Sequence, residues 1–257
     1  MSEFNFLEYH LADGLLTITL KRAPHNILHI AMLEELNHAL DLAVRDGSVR
    51  LLLLTGAGER CFSAGVDVLD HTPERVSEML SAFHGAIRQL RDFPLPTVAA
   101  LNGSALGGGC ELVLACDMAV AVEDAQLGQP EIKLGVFAPV ASILLPQLLP
   151  PARAMEMLLG GASLGAQEAL GLGLLNRVFA RADFVAETLA FILPYLQLSR
   201  AAVLQGKQAI RSAAGQPFEE ALASLEQRYL NELMATADAQ EGIKAFLEKR
   251  APQWTHR

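Results

Sequence analysis

The chain has 257 residues, 51% of them hydrophobic and 19% charged, with a formal net charge of −9. That length suits one large domain, or a domain with a helical appendage, and the apolar content excludes a disordered chain. So acidic a protein repels phosphate, which argues against nucleic-acid binding by charge, and Cys61, Cys110 and Cys116 lack the C-x-x-C spacing of a zinc knuckle.

The opening fourteen residues carry acids and no basic run before an apolar one, so no signal peptide is expected. With an odd cysteine count this suggests a soluble protein of a reducing, cytoplasmic setting. Leu16 to Leu20 has a β-branched centre and reads as a strand. Ile30 to Val44 places Leu33, Leu36, Leu40, Ala43 and Val44 at helical spacing among acids, an amphipathic helix. Arg50 to Thr55 is a continuous apolar run ending before Gly56, as in a strand buried on both faces. A helix is expected from Arg75 to Arg91, a strand from Thr97 to Leu101, a turn at Asn102-Gly103, a helix from Gly107 to Cys116 and a strand from Met118 to Val122. Alternation of this kind indicates an α/β fold with crossover connections.

Leu134 to Ala152 carries no charge over 19 residues, but Pro139, Pro146, Pro150 and Pro151 break it, so a buried segment is expected rather than a membrane span. Beyond about residue 150 the strands thin out. Helical patterns cover Ala152 to Leu159, Ala166 to Gly171, Asp183 to Leu193, Arg200 to Ala214 and Phe218 to Lys249, with Pro194 and Pro217 separating the later ones. No internal repeat is evident. The division expected is a core over residues 1–190 and a helical region over 191–257.

The candidate chemistry lies in four stretches. Between Pro94 and Cys116 the one charged side chain is Glu111, in Gly107-Gly-Gly-Cys-Glu-Leu112. Apolar neighbours raise the proton affinity of such a carboxylate and suit it to acid/base work, although a glutamate bonding backbone N–H groups at a helix start would look the same. The glycines leave helix N-terminal N–H groups open to an oxyanion, or simply allow tight packing. Glu131, in Gly128-Gln-Pro-Glu131, is a second carboxylate at the edge of the uncharged segment; a glutamate after proline also commonly starts a helix. Ser63-Ala-Gly-Val-Asp67 offers small residues for backbone approach, or a plain turn. The histidines show no H-E-x-x-H, and no metal is implied.

Cys61-Phe-Ser-Ala-Gly-Val-Asp67, Asn102-Gly-Ser-Ala-Leu-Gly-Gly-Gly-Cys-Glu-Leu112 and Leu127-Gly-Gln-Pro-Glu-Ile-Lys-Leu-Gly135 resemble, in order and spacing, the three signature stretches of the crotonase (enoyl-CoA hydratase/isomerase) family. The likeness runs from Ile18-Thr-Leu-Lys-Arg22 with Asn26 to Phe246-Leu-Glu-Lys-Arg250. It implies an α/β spiral of ββα units with a C-terminal helical trimerisation region, a homotrimer or dimer of trimers, and an acyl-CoA thioester substrate. No cofactor is implied, because CoA arrives as part of the substrate.

By position, the resemblance makes the backbone N–H groups of Val66 and Gly108 the oxyanion hole and Glu111 and Glu131 the catalytic pair. Glu111 would activate water and Glu131 would handle the proton on substrate carbon. Ser63, Ala64, Asp67, Val68, Gly107, Phe137 and Pro139 are expected to bind substrate. Leu69 stands where many members carry a lysine for the CoA, which leaves that contact unassigned. Val66 to Glu74 together with Val136-Phe-Ala-Pro139 is similar to the cyclic dienoyl-CoA hydratases, whose substrate is cyclohexa-1,5-diene-1-carbonyl-CoA, formed in anaerobic benzoyl-CoA breakdown. The stiff wall of Phe137 and Pro139 suits a flat ring. The alternatives are a straight-chain 2-enoyl-CoA hydratase or a double-bond isomerase. More remote is a non-catalytic RNA-binding or scaffold protein on the same fold, against which the glutamate pair and the charge of −9 argue.

Overall fold

The computed structural model describes residues 4–256. They form two compact units: one runs through Phe93 and from Thr97 to Phe191, the other comprises Pro94–Pro96 and the chain from Ile192 onward. The first three residues of the acidic opening lie outside the described residues.

The first unit begins with a hairpin of β1 (Leu7–Ala12) and β2 (Leu15–Leu20). Asp13 and Gly14 turn the chain with φ of +52° and +84°, the two positive values that a tight hairpin joining right-twisted strands requires. The sequence reading placed no strand at β1, although Leu7, Tyr9 and Leu11 alternate with Glu8 and His10 and the Asp-Gly turn follows. Helix α1 (Ile30–Arg45) crosses over to β3 (Leu51–Gly56), parallel to β2, with Leu33, Leu36 and Leu40 fully buried.

From β3 the chain repeats one unit three times. β3 is followed by β4 (Cys61–Ser63) and α2 (Val76–Asp92); β5 (Thr97–Leu101) by β6 (Ser104–Leu106) and α3 (Gly108–Ala115); β7 (Met118–Val122) by β8 (Gln126–Gly128), a 3₁₀ turn (Pro130–Leu134) and α4 (Pro139–Leu148). The first strand of each pair joins a six-stranded sheet and the second a four-stranded sheet, so the backbone winds as a spiral. The repeat is invisible as sequence similarity because only burial and strand length recur.

Helix α5 (Pro151–Gly160), β9 (Ser163–Gly165), α6 (Ala166–Gly171), β10 (Arg177–Phe179) and α7 (Phe184–Leu196) follow. β9 completes the small sheet beside β8, and β10 the large one beside β7. The strands therefore continue past residue 150. At three residues each they are too short to show a period, and their pairing partners define them. Pro146 lies inside α4 and Pro194 inside α7, so neither ends its helix as expected. A proline removes one N–H donor, a cost that surrounding packing offsets.

In the second unit α8 (Arg200–Ala213) is capped by Ser199, whose hydroxyl accepts from Ala202 N–H at 3.2 Å. The helical pattern expected from Phe218 to Lys249 is divided: α9 (Phe218–Arg228) runs into a π turn (Tyr229–Leu233), and α10 (Ala237–Leu247) starts afresh from Thr236, whose hydroxyl accepts from Ala239 N–H. Among the described residues no helix is long and apolar enough to cross a membrane.

Candidate active site

The connection between β3 and β4 is fixed by two buried asparagines. Asn26 Nδ2 donates to the carbonyls of Ala57 (3.0 Å) and Cys61 (2.8 Å). Asn102 Nδ2 donates to Gly58 O (2.7 Å) while its Oδ1 accepts from Gly56 N–H (3.2 Å). Beyond β4, Ser63 is wholly buried: its hydroxyl donates to Asn26 O (2.8 Å) and accepts from Gly65 N–H (3.2 Å). Gly65, at φ +98°, then turns the chain so closely past the start of α3 that a Cβ here would lie 2.9 Å from Leu106 O and 3.3 Å from Gly108 N.

This brings two backbone donors together. Val66 bridges Leu28 in parallel, with Leu28 N–H donating to Gly65 O (2.9 Å) and Asp67 N–H to Leu28 O (2.8 Å). A parallel bridge uses the groups flanking its central residue, so Val66 N–H faces away from it. Gly108 is the first residue of α3, where an N–H has no acceptor within the helix. Its neighbour Gly107 donates to Gly128 O (2.9 Å) and has φ +55° and ψ −129°, a conformation open to glycine; a Cβ there would lie 2.5 Å from Glu131 Oε1. The three glycines also admit close packing: a Cβ at Gly109 would meet Ser63 O at 2.4 Å.

Val66, Gly107, Gly108, Glu111 and Glu131 all line one cleft of about 440 Å³ in the first unit. Glu111, in the first turn of α3 and 3% exposed, accepts from Ala141 N–H at 2.8 Å. The α4 N-terminus, opened by Pro139, thus aims its donors at this carboxylate. Burial dominates nevertheless and, with the charge of Glu131, pushes Glu111 up to about 7 against the pull of the Ala141 and Val140 N–H groups. Burial also raises Glu131, against its own N–H and the charge of His71. With its amide turned so that the NH₂ faces Glu131, buried Gln129 donates to Glu131 Oε1 (3.3 Å) and Oε2 (3.1 Å). Cys110 beside them is pushed up to about 12 by burial, which keeps it a neutral thiol and no nucleophile.

Ala64, Val68, Phe137 and Pro139 also line the cleft, as expected of substrate contacts. Ser63 and Asp67, expected among them, do not. Ser63 is spent on the turn, and Asp67 caps the 3₁₀ turn Val68–His71 through Leu69 N–H (3.2 Å) and pairs with Arg22 (3.1 Å). The sequence reading overlooked Gln129, two residues before Glu131, and His71 and Phe83, which belong to the lining. His71 follows Asp67 by one helical turn, a spacing that marks it as a neighbour of the motif.

The profile of the enoyl-CoA hydratase/isomerase family matches residues 10–257. A cyclohexa-1,5-dienecarbonyl-CoA hydratase of Thauera aromatica is 39% identical over 246 residues, 95% of each chain. A probable enoyl-CoA hydratase of Bacillus subtilis is 36% identical over 92% of this chain and 93% of its own. The crystal structure of an enoyl-CoA hydratase from Mycobacterium smegmatis superposes with a TM-score of 0.92 at 32% identity, over 97% of this chain and 98% of that one. One from Bacillus anthracis gives 0.93 at 31% identity, over 98% and 100%.

Proposed function

The chain belongs to the enoyl-CoA hydratase/isomerase family and is a hydro-lyase of the kind its relatives are named for; on that premise we propose that it adds water to a cyclic conjugated dienoyl-CoA, cyclohexa-1,5-diene-1-carbonyl-CoA being the favoured substrate. The observation that carries hydration is the pair of carboxylates, buried Glu111 and half-buried Glu131, in one cleft that Val66 and Gly108 also line.

In this reading the thioester carbonyl docks between Val66 N–H and Gly108 N–H, which stabilise the negative charge that develops on its oxygen. Glu111 takes a proton from water as the hydroxyl bonds to the carbon β to the carbonyl. Glu131 gives its proton to a carbon of the resulting dienolate, and proton exchange with solvent restores both groups. A carboxyl lifted to about 7, as Glu111 is, exchanges protons readily near neutral pH. The chain's own donors supply the polarisation, so the reading invokes no metal or redox cofactor.

Two features support a ring. The Thauera relative is named for the cyclic substrate. Phe137 projects over the cleft, 70% exposed, and Pro139 holds the first position of α4, which makes a flat and stiff wall. The reading includes self-association through the C-terminal helices as a homotrimer or dimer of trimers, supported by Ile210, Phe218, Leu230 and Phe246, all exposed on the second unit. It places the reaction in the cytoplasm, in keeping with three cysteines that form no disulfide.

The test is incubation with the cyclic dienoyl-CoA and, separately, with crotonyl-CoA, following product mass for the gain of one water. Faster hydration of the ring is the expected result. Faster hydration of crotonyl-CoA would leave a straight-chain hydratase, and no turnover of either would remove hydration altogether.

A further inference from the structure

The cleft holds two imidazoles as well as two carboxylates, and the mechanism above uses neither. His71 ends the 3₁₀ turn Val68–His71 and lines the cleft with Glu131. Its Nδ1 lies 3.0 Å from Asp67 O. A carbonyl only accepts, so Nδ1 carries a proton and Nε2 is left for another partner. The turn itself is fastened on several sides. Asp67 is held by Arg22, and Asp70, 3% exposed, accepts from Ile30 N–H (3.0 Å) and pairs with Arg75 (2.9 Å). Asp67, which the resemblance places beside substrate, and Asp70 are thus occupied in holding the turn that carries this ring.

We infer that His71 is a positioning residue for Glu131: its imidazole, fixed through Nδ1, bears on the Glu131 carboxylate and sets the charge that group carries during turnover. The inference rests on Glu131 handling the proton in the proposed reaction. The electrostatics agree, since the His71 charge draws Glu131 down against the effect of burial. Among the other ionisable groups around Glu131, the Cys110 thiol on α3 is kept neutral by burial. Glu111 faces it from α3 and is held by α4, which carries no ionisable side chain. On the turn of Glu131, Lys133 packs its stem over Gly161. On α5, Arg153 pairs with Glu156 and Glu168. His84, the second imidazole of the cleft, is lowered by burial and by Arg88 on α2.

The test uses the full chain labelled with ¹³C at the glutamate carboxyl, the Glu131 resonance being the one that Glu131→Gln removes. His71→Asn keeps an N–H for Asp67 O and deletes the charge, and His71→Lys restores a charge. In His71→Asn the Glu131 midpoint should rise by about one pH unit, the usual effect of losing a nearby opposite charge. In the hydration assay kcat should fall about tenfold, with KM changed by less than about twofold. His71→Lys should return the midpoint to the wild-type value or below. An unmoved midpoint in folded His71→Asn overturns the inference, as does a moved midpoint with unchanged kcat, or a His71→Lys midpoint above wild type. Should His71→Asn not fold, His71→Lys decides alone by that last criterion. The titration needs no substrate, so failure of the hydratase reading would show separately, as wild-type protein that turns over no thioester.

Discussion

At the scale of single residues the protein is organised around carboxylates kept out of water. Glu111→Gln and Glu131→Gln are near-isosteric and remove the titrating proton, so each should lower kcat by about 10²–10⁴ while circular dichroism is unchanged. Wild-type rates in both would end the catalytic assignment. Glu111 also makes a stability prediction. Its native carboxyl binds a proton more tightly than the unfolded chain does, so the stabilisation from protonation is full below pH 4.5 and is lost as pH rises to about 7. Glu111→Gln cannot titrate. Its unfolding free energy should therefore gain on wild type by about 3 kcal/mol across that window. Urea titrations at both ends check this, and a flat difference would contradict a buried, raised carboxyl. Gly107→Ala meets both a positive φ and the Glu131 oxygen, so it should cost activity through a displaced Glu131 more than it costs stability.

At the scale of elements, function depends on where helices begin. The first turn of α3 supplies the Gly108 N–H and Glu111, and the first turn of α4 returns donors to Glu111. This geometry requires α3 to lie against β4 with no side chain between them. Gly109→Ala would drive a methyl group into Ser63 O, a backbone atom that cannot turn aside. We expect a loss of about 1–3 kcal/mol, read as a lower urea midpoint at constant m-value. A variant as stable as wild type would mean that α3 can move off the strand. Many of the elements that the sequence disclosed carry a periodic or continuous apolar pattern, as α1, α2, β2, β3, β5 and β7 do. Among those it did not disclose, β1 has six residues, while β4, β6, β8, β9 and β10 have three each and exist because of their partners.

At the scale of the whole molecule, the exposed apolar side chains of α8, α9 and α10 are the feature that one chain leaves without a use. Sedimentation should give three or six times the chain mass of 27.7 kDa. Phe246→Glu, at a position 83% exposed, should shift that distribution toward the monomer without loss of helix content. A wild-type monomer would remove the trimerisation reading and leave these side chains unexplained.

Residue type and short spacing determined much of the chemistry. Glu111 as the lone charge in an apolar run, Glu131 after Gln129-Pro130, and the glycines before α3 all stand in the sequence, because proton affinity and backbone access are local properties. Only the tertiary structure decided which of these meet. Val66, Gly108, Glu111, Glu131 and Phe137 converge on one cleft because successive turns of a two-sheet spiral stack beside each other, a relation that pairing of distant strands sets. The same contacts withdrew Ser63 and Asp67 from the cleft and placed His71 in it. For Ser63 and Asp67, hydrogen-bond partners tens of residues away, Asn26 and Arg22, make those assignments, and no local pattern contains them.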